Sequence, residues 1–146
     1  MRTFFIFWFW SFSCFGAPVD ESHILDAARH HKFPDPELIV AIAHVESRLE
    51  AKALNTDGVP TYGLMQLQLQ TARNQGFKGK AEELFNWQKN VEFSVKYLRH
   101  LLDAYSFDYA AVISAYNAGR PLKRGRVYVN QVYIDRVFEK YKALKE

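Results

Sequence analysis

Residues 35–49 read DPELIVAIAHVESRL. Asp35 offers a capping side chain, Pro36 suits the first helical position, and Glu37 sets an acid in the first turn. These three residues start a helix. With Leu38 as origin and 100° per residue, Val45, Leu49, Ile42 and Ile39 share an apolar arc from about 340° round to about 100°. Glu46 falls at about 80°, inside that arc, while Glu37 and Arg48 point to the other side. A carboxylate stands where packing asks for a hydrophobe. Burial disfavours its ionised form and raises its pKa. A carboxyl group still protonated near neutral pH can act as a general acid. The alternative is a structural glutamate paired with Arg73, Arg99 or Arg136. The helix pattern alone leaves both readings open.

Outward from this stretch the chain reads as consecutive helices with short connections. Asp20 caps a first helix carrying Ile24, Leu25 and Ala28 to about His31. A polar loop with Asn55, Asp57, Gly58 and Pro60 follows the second helix. Gly63 opens a short helix to about Gln75. Asn86 caps a long helix in which Val91, Val95, Leu98 and Leu102 keep helical spacing. Asp108 caps another, which Gly119 stops. Pro121 and a basic loop of Lys123, Arg124 and Arg126 come next. In the last helix Val129, Val132, Tyr133, Val137 and Tyr141 share a face. No stretch alternates as a strand, so the predicted class is all-α, in one domain.

Three short motifs stand out: Glu46-Ser47, then Gly63-Leu64-Met65-Gln66, then Ala115-Tyr116-Asn117-Ala118-Gly119. In this order and at these spacings they closely resemble the SLT-type lytic transglycosylases, lysozyme-like enzymes that cleave the glycan strands of bacterial peptidoglycan. The resemblance runs from about Pro36 to Tyr141 and includes Leu84-Phe85-Asn86, Asn90 and Tyr97-Leu98. It implies a lysozyme-like helical domain with a substrate cleft, and it assigns Glu46 as the catalytic acid. It assigns Gln66 to substrate binding, where an amide both donates and accepts. It places Tyr116 near the acid, orienting acid and substrate, with Asn117 beside it. It matches Tyr133 to a tyrosine that packs beside the cleft, and Asn55 to a polar position near the site. Read singly, Gln66 is a solvated glutamine and Tyr116 a core aromatic whose hydroxyl finds a backbone partner. The sequence departs from the family pattern at Leu67-Gln68-Leu69, at Ser94 in place of a glycine, and at Val129-Asn130. The loop from Asp57 to Tyr62 is longer than in many relatives. These differences bear on the subsites and leave the acid untouched.

The first residues differ from the rest. Arg2 precedes an apolar run from Phe4 to Phe15, then Gly16 and Ala17. This is the pattern of a secretory signal peptide, too short for a comfortable membrane span, with an uncleaved anchor as the alternative. Cys14 and Gly16 suit cleavage after Gly16, and Ser11-Phe12-Ser13 fits a lipoprotein signal poorly. The chain therefore divides into a signal peptide, 1–17, and a catalytic domain, 18–146, exported to the periplasm or cell envelope. Cys14 is the sole cysteine, so the mature protein relies on no disulfide. The 146 residues suffice for one domain, and the mild net charge of +3 argues against a dedicated nucleic-acid binder and suits an acidic polymer. The same excess is also ordinary surface. Only the signal segment touches a membrane, and a monomer is expected.

Most glycosidases need two carboxylates. The resemblance supplies one and implies that the sugar provides its own nucleophile, giving 1,6-anhydromuramoyl ends. Asp57, the nearest other acid, reads as a turn residue. A lysozyme-type hydrolase of the same fold, a non-catalytic peptidoglycan-binding protein of an envelope apparatus, and a plain helical bundle are the alternatives. Small exported relatives imply, as further partners, a secretion, conjugation or pilus system. No metal or cofactor is expected: His30 and His31 splay apart, His23, His44 and His100 form no ligand pattern, and no phosphate loop is present.

Overall fold

The computed structural model describes residues 18–146. The signal peptide read at 1–17, with Cys14, lies outside the described residues. Six α-helices carry the fold: α1 Glu21–His30, α2 Pro36–Ser47, α3 Leu69–Asn74, α4 Trp87–Ala104, α5 Tyr109–Ala118 and α6 Gln131–Lys145. A 3-10 helix, Ala81–Phe85, leads into α4. The all-α class holds, with small β additions. Strands β1 Leu54–Asn55, β2 Thr61–Tyr62 and β3 Leu67–Gln68 form an antiparallel sheet in that order, and β4 Lys123–Arg124 pairs with β5 Val127–Tyr128. Two-residue strands are too short to show a period of two, so the sequence could not announce them.

The central helix is α2. Every residue from Leu38 to Ala43 is buried, because α1 and α6 both pack against it. It is therefore apolar all round and not the one-sided amphipath read from the wheel. Around it lie Ile24, Leu64, Met65, Leu98, Leu102, Ile113 and Ile134, each under 2% exposed. A second, smaller cluster of Leu67, Ala72, Phe77 and Leu84 sits beneath the three-stranded sheet. The sheet, α3 and the 3-10 helix thus make a minor lobe against α4.

Asp20 accepts from the His23 N–H and caps α1, Asn86 accepts from the Lys89 N–H and caps α4, and Asp108 accepts from the Ala111 N–H and caps α5. Gly119 ends α5 in the left-handed region at φ 79°. Four readings need correction. Asp35 precedes α2 but makes no capping bond: its carboxylate accepts from Tyr109 and Tyr141 and pairs with Lys145. The helix stops at Ser47, so Leu49 lies beyond it at φ 65°. Gly63 opens a turn, not a helix, and α3 begins only at Leu69. On α6 the inward face is Ile134 and Val137, while Val129 precedes the helix and Val132 is exposed.

Candidate active site

The three sequence motifs meet at two successive peptide units, Leu64–Met65 and Met65–Gln66. Ser47 Oγ, at the end of α2, donates to the Leu64 carbonyl at 2.6 Å. Tyr116 Oη, near the end of α5, donates to the Met65 carbonyl at 2.8 Å. The Met65 N–H donates to Asn90 Oδ1 at 2.8 Å. Asn90 itself is wholly buried on α4, and its Nδ2 donates to the Tyr62 and Leu84 carbonyls. All of its amide groups are thus used. Asn90 and Ser47 are the positions that hold the turn in place. Neither role has a chemical sign of its own in the sequence beyond the place of both residues in the resembling motifs.

Gly63 is required by this arrangement. It has φ 72°, and a Cβ there would lie 2.5 Å from the Leu84 carbonyl oxygen and 2.7 Å from Asn90 Nδ2. Gln66 is also left-handed, at φ 49°. Its side chain offsets the strain: Nε2 donates to the Gly63 and Ala53 carbonyls, and Oε1 accepts from Thr61 Oγ1. The amide assigned to substrate is thus engaged first in shaping the turn.

These elements enclose a cleft of about 470 Å³ between the minor lobe and the ends of α2 and α5. Glu46, Asn55, Gln66, Tyr116 and Asn117 all line it, as does Tyr97. Tyr97, a tyrosine at a helical position, carried no signal of its own; its ring lies 5.6 Å from that of Tyr116. Asn55 stands on exposed β1, where its Oδ1 also accepts from the Asp57 N–H. Asn117 Oδ1 accepts from Asn130 Nδ2 at 2.9 Å.

Glu46 is the sole carboxylate among the residues lining the cleft. It pairs with none of Arg73, Arg99 or Arg136. Arg99 donates instead to the His31 and Lys32 carbonyls behind α1. The partner of Glu46 is Tyr133 of α6, whose hydroxyl donates to Oε1 at 2.6 Å. The hydrogen bond to Glu46 thus comes from Tyr133, while the nearby Tyr116 hydroxyl is spent on Met65. Burial raises the Glu46 pKa from its ordinary 4.5 to about 7, against the smaller opposing effect of the Tyr133 hydrogen bond. Burial and the nearby Glu46 charge push both Tyr116 and Tyr133 upward, so each hydroxyl keeps its proton and donates.

A carboxyl group poised near neutrality, held by one donor and open to a polar groove, can give a proton and take one back. Among the described residues no cluster of histidine, cysteine or acidic side chains could hold a metal ion.

Two comparisons bear on this geometry. Residues 24–131 match the family model described as the Transglycosylase SLT domain. Among solved structures, the fold is similar to that of an inactive mutant of the lytic transglycosylase Slt from Pseudomonas aeruginosa. The TM-score is 0.61 and the identity 22%, over 83% of this chain and 21% of that one. At this identity the likeness speaks for the fold, and the chain spans only that 21% of the Slt chain.

Proposed function

The chain belongs to the SLT transglycosylase family, and from that premise we propose that it is a peptidoglycan lytic transglycosylase with Glu46 as its acid and then its base. The substrate is the β-1,4 bond between N-acetylmuramic acid and N-acetylglucosamine. The carboxyl of Glu46 gives its proton to the glycosidic oxygen as the bond to C1 breaks. The resulting carboxylate takes the proton of the C6 hydroxyl as that oxygen bonds to C1. The proton is returned to Glu46, a 1,6-anhydromuramoyl end forms, and no water is consumed.

The observation that carries this reading is the solitude of Glu46. A hydrolase of the usual kind needs a second carboxylate across the bond. Among the residues lining the cleft there is none, and Asp57 lies in an exposed loop. The raised pKa suits both halves of the cycle, since an acid near pH 7 is also a competent base once it has lost its proton. Gln66, Asn55, Tyr116 and Asn117 supply amide, hydroxyl and aromatic groups for N-acetyl and hydroxyl recognition.

The apolar run at 4–15 supports export to the envelope, and none of the described helices is long and apolar enough to cross a membrane. Within the envelope the role is local opening of the wall for a secretion, conjugation or pilus system, with the single domain acting as a monomer.

Digestion of purified sacculi tests the reading. Wild type yields anhydro-ended muropeptides, each one water lighter than a hydrolysed product by mass spectrometry. Glu46→Gln loses activity by about 10³-fold, as removal of a positioned acid does. Hydrated ends would assign a lysozyme-type hydrolase instead. Binding to sacculi without turnover, by both proteins, would assign a non-catalytic wall-binding protein.

A further inference from the structure

The basic loop found in the sequence has no task in the chemistry above. It forms the β4–β5 hairpin, and its position is specific. Gly119 lines the cleft, and the next residue is Arg120. Arg120, Lys123, Arg124 and Arg126 are all exposed, and residues 118–130 contain no acid. None of the four cations forms an ion pair with a described carboxylate, whereas Lys89 and Lys96 of α4 and Lys140 and Lys145 of α6 each do.

The hairpin is fixed in place. The Val129 N–H closes it on the Leu122 carbonyl. Tyr128 is buried at its base, with Lys123 Nζ 4.5 Å from its ring centre. Asn130 ties that base to α5: its Nδ2 donates to the Ser114 carbonyl and to Asn117 Oδ1, and its Oδ1 accepts from Ser114 Oγ. Asn117 is itself a cleft residue, so the hairpin and the cleft share a hydrogen bond. The opposite wall is different. From Leu54 to Thr71 it bears one charge, that of Asp57. One lip of the groove is cationic and the other nearly neutral.

Resting on the function proposed above, we infer that the hairpin of residues 120–126 is a docking lip for the carboxylates of the peptide stems that project from the glycan strand. A strand lying in the cleft carries its stems sideways, and stem carboxylates passing the cationic lip gain exposed, charge-assisted contacts. The lip then selects strands that still bear acidic stems and sets which side of the groove the stems leave by. Free cations beside a cleft also raise the local concentration of an anionic polymer and its rate of encounter.

The test compares two forms of one substrate. Sacculi are used native, or with their carboxylates converted to amides by carbodiimide and ammonia. On wild type the apparent KM rises about fivefold on amidated sacculi, the size expected of several exposed ion pairs. With Arg120→Gln, Lys123→Gln, Arg124→Gln and Arg126→Gln combined, the apparent KM is high and the same on both. Raising ionic strength removes the preference of wild type without any substitution, which keeps the test independent of how the variant folds. Equal KM values for wild type on the two substrates would overturn the inference, as would a variant that still discriminates. Co-sedimentation with anionic phosphatidylglycerol vesicles, lost in the variant while wild type ignores amidation, would reassign the lip to a membrane surface. Anhydro-ended products appear on both substrates in every case. Their absence would count against the proposed activity rather than against the lip.

Discussion

At the scale of the residue, the role proposed for Glu46 ties turnover to stability. Its folded pKa of about 7 lies above its ordinary 4.5. The protonated carboxyl is the form the fold favours, so its contribution is fully present below pH 4.5 and is lost as pH rises through 7. Glu46→Gln, always neutral, is therefore expected to melt above wild type at pH 8 and level with it at pH 4, as checked by thermal unfolding at both values. Tyr133→Phe removes the donor that stabilises the carboxylate. The pKa of Glu46 then rises further, and the alkaline limb of the pH–rate profile moves to higher pH. A limb that stays where it is would separate Tyr133 from the acid. The place of Glu46 on an apolar helix was legible in the sequence, since a carboxylate at a core position breaks the pattern around it. Its partner was not. The residues joining in that bond are 87 positions apart, and no local rule connects them.

At the scale of the element, the turn from Gly63 to Gln66 is the part most dependent on others. Asn90→Ala leaves the Met65 N–H and the Tyr62 and Leu84 carbonyls without a partner in the interior. The expected cost is about 3 kcal/mol, read by denaturant unfolding, with loss of activity alongside. Gly63→Ala meets the Leu84 carbonyl and a positive φ together and is expected to be at least as damaging. These costs explain which elements the sequence revealed. Helices α1, α4 and α5 carry their own start signals in Asp20, Asn86 and Asp108, which act within one turn. The Gly63 turn takes its shape from Ser47, Asn90 and Tyr116, all distant in sequence, so a glycine before apolar residues was read as a helix start. Asp35 looked like a cap for the same local reason, but two tyrosines and a lysine from α5 and α6 claim its carboxylate. Leu49 and Val129 each kept helical spacing just outside a helix, Leu49 after α2 and Val129 before α6, and spacing alone does not mark where a helix stops or starts.

At the scale of the whole molecule, Asp35 and α6 close the fold. Burial would push the Asp35 carboxyl up, but the Tyr141 hydroxyl and the Lys145 ammonium together hold it below its ordinary 3.8. The ionised form is favoured in the fold, so its contribution is present above pH 3.8 and is lost as pH falls through the lowered value. Asp35→Asn is expected to unfold more readily than wild type at pH 7 and to match it near pH 2. An unchanged gap at both values would remove the charge from the account. The same helix that Asp35 fastens also brings Tyr133 to the acid and packs along α2. Tyr133 stands on the last helix, so the carboxyl of Glu46 finds its donor only when α6 docks. Synthesis proceeds from the other end, so a nascent chain that already holds all three motifs still lacks this bond. On the function proposed above, the finished site is thus a late product of maturation.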